Sequence, residues 1–154
     1  MDRIDPVATG LTTTFSTGDL TSGGGGGVTI DATSSNFSAN PGSTSFTVSH
    51  TTGSGTNRLM LVGISQKNKN VTSVTYGGTP LTLVGENVNG TNGRMHMYKL
   101  LNPPSGTANV VVNLDANPDK GIVVGVTTFT GVDQTLRWAL FLRQLLTVMQ
   151  QVLR

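Results

Sequence analysis

Arg58-Leu-Met-Leu-Val-Gly-Ile-Ser65, the polar turn Lys67-Asn68-Lys69-Asn70, then Val71-Thr-Ser-Val-Thr-Tyr-Gly-Gly-Thr-Pro-Leu-Thr-Leu-Val84 decide the fold. Leu59 to Ile64 is almost wholly apolar, which predicts a central strand covered on both faces. Val71 to Tyr76 alternates, with Val71, Ser73 and Thr75 on one side and Thr72, Val74 and Tyr76 on the other. That is the period of a half-buried strand. Gly77-Gly78 supplies the positive φ of a tight hairpin turn. Pro80, which has no N–H to give a ladder, belongs at a strand start or a sheet edge.

Working outward, the same pattern repeats. Val28 to Asp31 reads as a short first strand, followed by a turn at Ala39-Asn40-Pro41-Gly42. Ser43 to His50 sets Ser45, Thr47 and Ser49 against Phe46, Val48 and His50. Leu81 to Val84 continues after the Gly-Gly turn, and Asn87 to Gly93 reads as a long Asn/Gly loop. Arg94 to Leu101 sets Met95, Met97 and Lys99 against His96, Tyr98 and Leu100. Thr107 to Leu114 and Gly121 to Phe129 complete a series of strands spaced about 8–12 residues apart, as in sandwiches and barrels. No strand–helix alternation occurs before residue 135. The expected fold is all-β, an antiparallel β-sandwich of immunoglobulin-like or jelly-roll-like form. It occupies residues 28–134, preceded by a Gly/Thr/Ser-rich lead and linker over 1–27 that ends in the glycine run Gly23 to Gly27.

Composition narrows the function. The 154 residues include 20 glycines, no cysteine, and only 12% charged side chains. Without cysteine there is no disulfide scaffold and no thiolate metal site. The net charge of +2 suggests a basic protein until its distribution is read. Residues 1–134 carry seven basic and eight acidic side chains, whereas Arg137, Arg143 and Arg154 stand in a tail with no acid. A nucleic-acid footprint of clustered cations and aromatics is missing, so no nucleic-acid partner is expected. The first residues, Met1-Asp-Arg-Ile-Asp-Pro6, lack the basic and apolar regions of a signal peptide. No run of about 18 apolar residues predicts a membrane span.

Four ordered strings carry a resemblance: Asn57-Arg-Leu-Met-Leu-Val-Gly-Ile-Ser65, Val74-Thr-Tyr-Gly-Gly-Thr-Pro-Leu-Thr82, Tyr98-Lys-Leu-Leu-Asn-Pro-Pro-Ser-Gly-Thr107 and Phe129-Thr-Gly-Val-Asp-Gln-Thr135. Over residues 28–135 the chain resembles the β-sandwich repeat modules of secreted bacterial surface and adhesin-like proteins. The resemblance implies an extracellular or cell-surface setting in a longer chain, neighbouring modules, and no shared catalytic residues. It also implies that Met1 is an internal methionine of a longer gene.

In such modules the last string runs on into further strands. Here residues 136–154 contain no Gly, Pro, Ser, Asn, Asp or Glu. A single-base deletion near codon 135 accounts for that break, because the back-translated tail in the restored frame permits the family's continuation. The expectation is then a frameshifted fragment of a parent protein, with a selected helix over 136–154 as the alternative. Whatever its origin, the tail places Trp138, Leu142, Leu145, Met149 and Val152 at helical spacing, with Arg137, Gln144, Thr147, Gln151 and Arg154 opposite. That pattern predicts a C-terminal amphipathic α-helix over 135–154.

Candidate sites are few. Tyr76, Asn87, Asn89 and Asn92 combine an aromatic face with amides, the chemistry of glycan contact. Asp115, Asn117 and Asp119 place oxygen ligands at alternate loop positions, as calcium loops do, although the sixth-position glycine and closing glutamate are missing. His50 and His96 lie on strands without metal-ligand spacing and read as packed residues. Glu86 is the lone glutamate, so a carboxylate hydrolase would need it and an aspartate within about 5–10 Å. The reading is a non-catalytic structural or adhesion module with a glycan or cell-surface partner and no cofactor beyond a calcium ion. A carbohydrate-binding accessory module is the alternative, and a fragment of a glycan-active enzyme stands third.

Overall fold

The computed structural model describes residues 27–90, 93–118 and 120–134. They form nine strands: β1 (Thr29–Ser38), β2 (Ser45–Thr52), β3 (Leu59–Gln66), β4 (Val71–Tyr76), β5 (Thr79–Pro80), β6 (Thr82–Asn89), β7 (Gly93–Leu101), β8 (Gly106–Leu114) and β9 (Ile122–Thr130). Two antiparallel sheets result, a five-stranded one in the order β1-β9-β3-β7-β6 and a four-stranded one in the order β2-β8-β4-β5. The helix expected over 135–154 lies outside the described residues, as do Asn92, Asp119 and the lead over 1–26.

The period-2 signals place the core. In β2, Phe46, Val48, His50 and Thr52 point inward while the serines and threonines between them face out. From β3 come Met60, Val62 and Ile64, from β4 Val74 and Tyr76, from β8 Val110 and Val112, and from β9 Val124 and Val126. Buried side chains of both sheets form one cluster. Met60, entirely buried, is a position where truncation to alanine costs about 2–5 kcal/mol.

β3 is central as its sequence requires, lying between β9 and β7 with Val62 opposite both Val126 and Tyr98. Its inner face is sealed. Its outer face, Leu59, Leu61 and Gly63, is only half-buried among the described residues, less covered than the apolar run implies. Gly77 (φ 54°) and Gly78 (φ 86°) make the turn that pairs Tyr76 with Thr79, and Pro80 occupies the two-residue edge strand β5.

Three local expectations are corrected. The first strand runs on to Ser38, paired along its length with β9. The segment after Pro80 does not continue one strand. Leu81, nine-tenths buried with its N–H donating to Val74 O at 2.9 Å, carries the chain across the core, and β6 starts in the other sheet. Asn87 to Asn89 are the end of β6, with Asn89 opposite Gly93, so the expected loop shrinks to the hairpin tip. Asn and Gly favour turns, but an edge strand exposed along its length tolerates them too.

The register defines two poles. At one, the chain comes in beside Thr130, where the Thr29 and Thr130 hydroxyls lie 2.8 Å apart. It leaves there too, with Gly131 N–H on Thr56 O, Val132 N–H on Asn57 O, and Gln134 Nε2 on Arg58 O at 3.0 Å. At the opposite, distal pole lie the connections over 39–44 and 67–70, together with Gly90 and the described residues 115–118, 120 and 121.

Candidate functional site

The distal pole holds a linked set of polar side chains among the described residues. Gln66, buried although polar, braces the 67–70 turn: its amide donates to Lys69 O and its oxygen accepts from Lys69 N–H. Asn68 takes a positive φ of 63° there, a conformation asparagine tolerates. Asn70 then clips the turn to the β8–β9 connection. Its N–H donates to Asp115 Oδ1 at 2.9 Å and its amide to Asp115 Oδ2 at 2.5 Å, while Arg94 Nη1 donates to its oxygen. The two bonds from Asn70 hold the Asp115 carboxyl below the usual carboxylate range, although the group is solvent-exposed.

Beside this clip is a groove of about 560 Å³ whose lining includes Phe37, Gln66, Lys67, Lys120 and Val123. Phe37 is 74% exposed, on β1 opposite Val123 of β9. An exposed aromatic ring beside two lysines presents a stacking face and cations to a ligand. Sequence reasoning missed Phe37. Its signal was a lone aromatic in the polar run Ser34-Ser35-Asn36-Phe37-Ser38.

The structure divides the sequence-predicted residues. Asn89, Asp115 and Asn117 are exposed at the distal pole, and Asn87 is exposed two residues below the β6–β7 tip. Tyr76 is corrected. It is fully buried at the other end of the molecule, its hydroxyl donating to Gly106 O at 2.8 Å and accepting from Thr52 Oγ1 at 3.1 Å. Its ring is core and is closed to a surface ligand. Asp115 has both carboxylate oxygens engaged by Asn70, and no group of three or more His, Cys, Asp or Glu converges among the described residues. No helix among them is long and apolar enough to cross a membrane.

Both histidines are packed. His50 is 1% exposed, with Nδ1 at 2.9 Å from Ser34 Oγ and Nε2 at 3.2 Å from Thr128 Oγ1. Thr128 gives its one proton to Asp31 Oδ2 at 3.0 Å, and Asp31 also accepts from Gly53 N–H at 2.8 Å. Proton counting then assigns His50 as the neutral Nε2–H tautomer, donating to Thr128 and accepting from Ser34. Burial lowers the His50 pKa below the ordinary 6.5, against the opposing pull of Asp31. The chain Ser34–His50–Thr128–Asp31 resembles a relay in its order of groups, but it is folded into the interface between β1, β2 and β9. Its work is to satisfy a buried imidazole.

His96 Nε2 lies 3.3 Å from Glu86 Oε2, directly across the β6–β7 pair, while its Nδ1 is buried without a partner. Burial lowers its pKa more than Glu86 raises it, with Arg94 adding to the lowering. Glu86 borders a second groove, on the outer face of the five-stranded sheet, whose described lining holds no aspartate.

Comparison with protein families, with curated proteins and with solved structures gave no match for this chain.

Proposed function

We propose that the chain is a non-catalytic β-sandwich module that presents its distal pole to a cell-surface partner, as part of a larger bacterial surface protein. The observation that carries this reading is polarity. The described chain comes in and goes out at one pole, and the groove of Phe37, Lys67 and Lys120 opens at the other. A module whose described chain enters and leaves at one end and whose groove opens at the other suits display better than an end-to-end spacer, and connections on a rigid scaffold are where binding residues concentrate. The likeness to repeats of secreted surface proteins supports the extracellular setting.

The carbohydrate-binding form of this reading draws on one specific feature, the exposed Phe37 ring beside the ammonium donors of Lys67 and Lys120. Full-length protein applied to a glycan array and to intact bacterial and host cells tests both forms. A glycan signal abolished by Phe37→Ala, with unchanged thermal stability, supports the carbohydrate reading. Cell binding without a glycan signal, weakened by Phe37→Ala or by joint Lys67→Ala and Lys120→Ala, supports a protein partner. Binding that ignores all three substitutions would sink the distal-pole assignment.

A further inference from the structure

We propose that residues 136–154 cover the outer face of the five-stranded sheet as an amphipathic helix. The register shows what that face offers. Across it, Gly85, Met97, Gly63 and Gly125 stand in one row on four adjacent strands. A Cβ added at Gly85 or Gly125 would meet nothing within 4 Å, and one at Gly63 only the end of Met97 at 3.9 Å. None of the three has positive φ. Neither backbone conformation nor packing among the described residues therefore demands glycine, and the row forms the floor of a trough. Met95 (63% exposed) and Val123 (53% exposed) form its walls in the next row, and the groove there measures about 490 Å³. Toward the terminal pole the apolar surface narrows to Leu61, between Lys99 and Thr127, and then reaches Leu59 and Leu101.

An apolar stripe of this extent on a central strand is unusual surface unless something covers it. The chain's own tail fits in length, direction and chemistry. The described chain ends at Gln134, tied to Arg58 at the head of β3, where the stripe begins. From Leu59 to Ser65 the stripe runs roughly 20 Å at the rise of a strand. Residues 138–154 as a helix would span about 25 Å. Trp138, Leu142, Leu145, Met149 and Val152 recur on one side of that helix, and the arginines and glutamines stand on the other. A helix about 10 Å wide covers β9, β3 and β7, leaving Phe37 on β1 at the margin. The trough lets it approach closely. Docking of the tail depends neither on its genetic origin nor on any ligand at the distal pole.

Methionine oxidation by hydrogen peroxide, mapped by mass spectrometry on the full-length chain, tests it. Met60 is wholly buried and reports that the core is intact. The expected result is that Met95 and Met97 oxidise about tenfold more slowly in the full chain than in a full-length Leu142→Glu/Leu145→Glu variant, as a nine-tenths docked tail requires. A chain ending at residue 135, with Met60 still slow, should match the variant. Equal oxidation rates in all three would overturn the proposal. So would protection that survives the tail substitutions but fades on dilution, which assigns the face to a second copy. Protection lost only when residues 1–26 are removed assigns the face to the lead and overturns the proposal as well.

Discussion

At the scale of single residues, buried polar groups are the informative ones, because each must be satisfied without water. Tyr76→Phe leaves the Gly106 carbonyl and the Thr52 hydroxyl without their partner, so it should cost about 1–2 kcal/mol. Chemical denaturation measures this, and the midpoint should fall with an unchanged slope. His50 and His96 both hold pKa values below 6.5. The unfolded chain therefore binds protons first as pH falls, so stability is full above 6.5 and is lost as pH drops below it toward the folded-state values. For His96 the cause is burial, and protonation would also put an N–H at Nδ1, which has no acceptor. Melting temperature should decline as pH falls below 6.5, and His50→Gln should flatten that decline. A flat profile in the unsubstituted protein would contradict the buried neutral tautomer.

At the scale of elements, turns and clips decide where strands begin. Gly78, at φ 86°, should lose about 1–2 kcal/mol on change to alanine, the usual cost of left-handed backbone for an L-residue. Asparagine, which tolerates that region better, should lose less, and thermal melts of the two variants check the order. The Asn70–Asp115 clip ties the β3–β4 turn to the β8–β9 connection. Asp115→Ala should raise hydrogen exchange at residues 67–70 while leaving β3 itself protected. Because the Asp115 pKa is lowered, the clip is present above the ordinary 3.8 and lost as pH falls through the folded value. With both its oxygens held by Asn70, Asp115 is expected to give no melting-temperature rise in millimolar calcium. A rise abolished by Asp115→Asn would instead assign the loop a cation.

At the scale of the whole molecule, the domain is polarised. The described chain enters and leaves at one pole, the Phe37 groove opens at the other, and the outer face of the five-stranded sheet carries a half-exposed apolar stripe. Substitutions at Phe37, Lys67 and Lys120 should therefore alter binding without altering the melting temperature. On the proposed docking of the tail, full-length protein should be more soluble than a chain ending at residue 135, which leaves Met95, Met97 and Val123 open. Light scattering of the two at matched concentration separates them.

What could be read from the sequence alone was local. The alternation of Phe46, Val48 and His50 with serine and threonine, the apolar run of β3, and the Gly77-Gly78 turn are periods and dihedral preferences that neighbouring residues dictate to one another. They determined an all-β antiparallel chain and most of its strands. The rest lay between distant residues. Leu81 sits inside a continuous extended run, and nothing near it announces a passage between sheets. Tyr76 alternates like any half-buried residue, and only the meeting of β2, β4 and β8 closes its ring from water. Asn87 and Asn89 look like a loop until β7 pairs with them. The tertiary structure decided these points because residues as far apart as Thr29 and Thr130 pair only when the whole core repays the entropy of closing the chain between them.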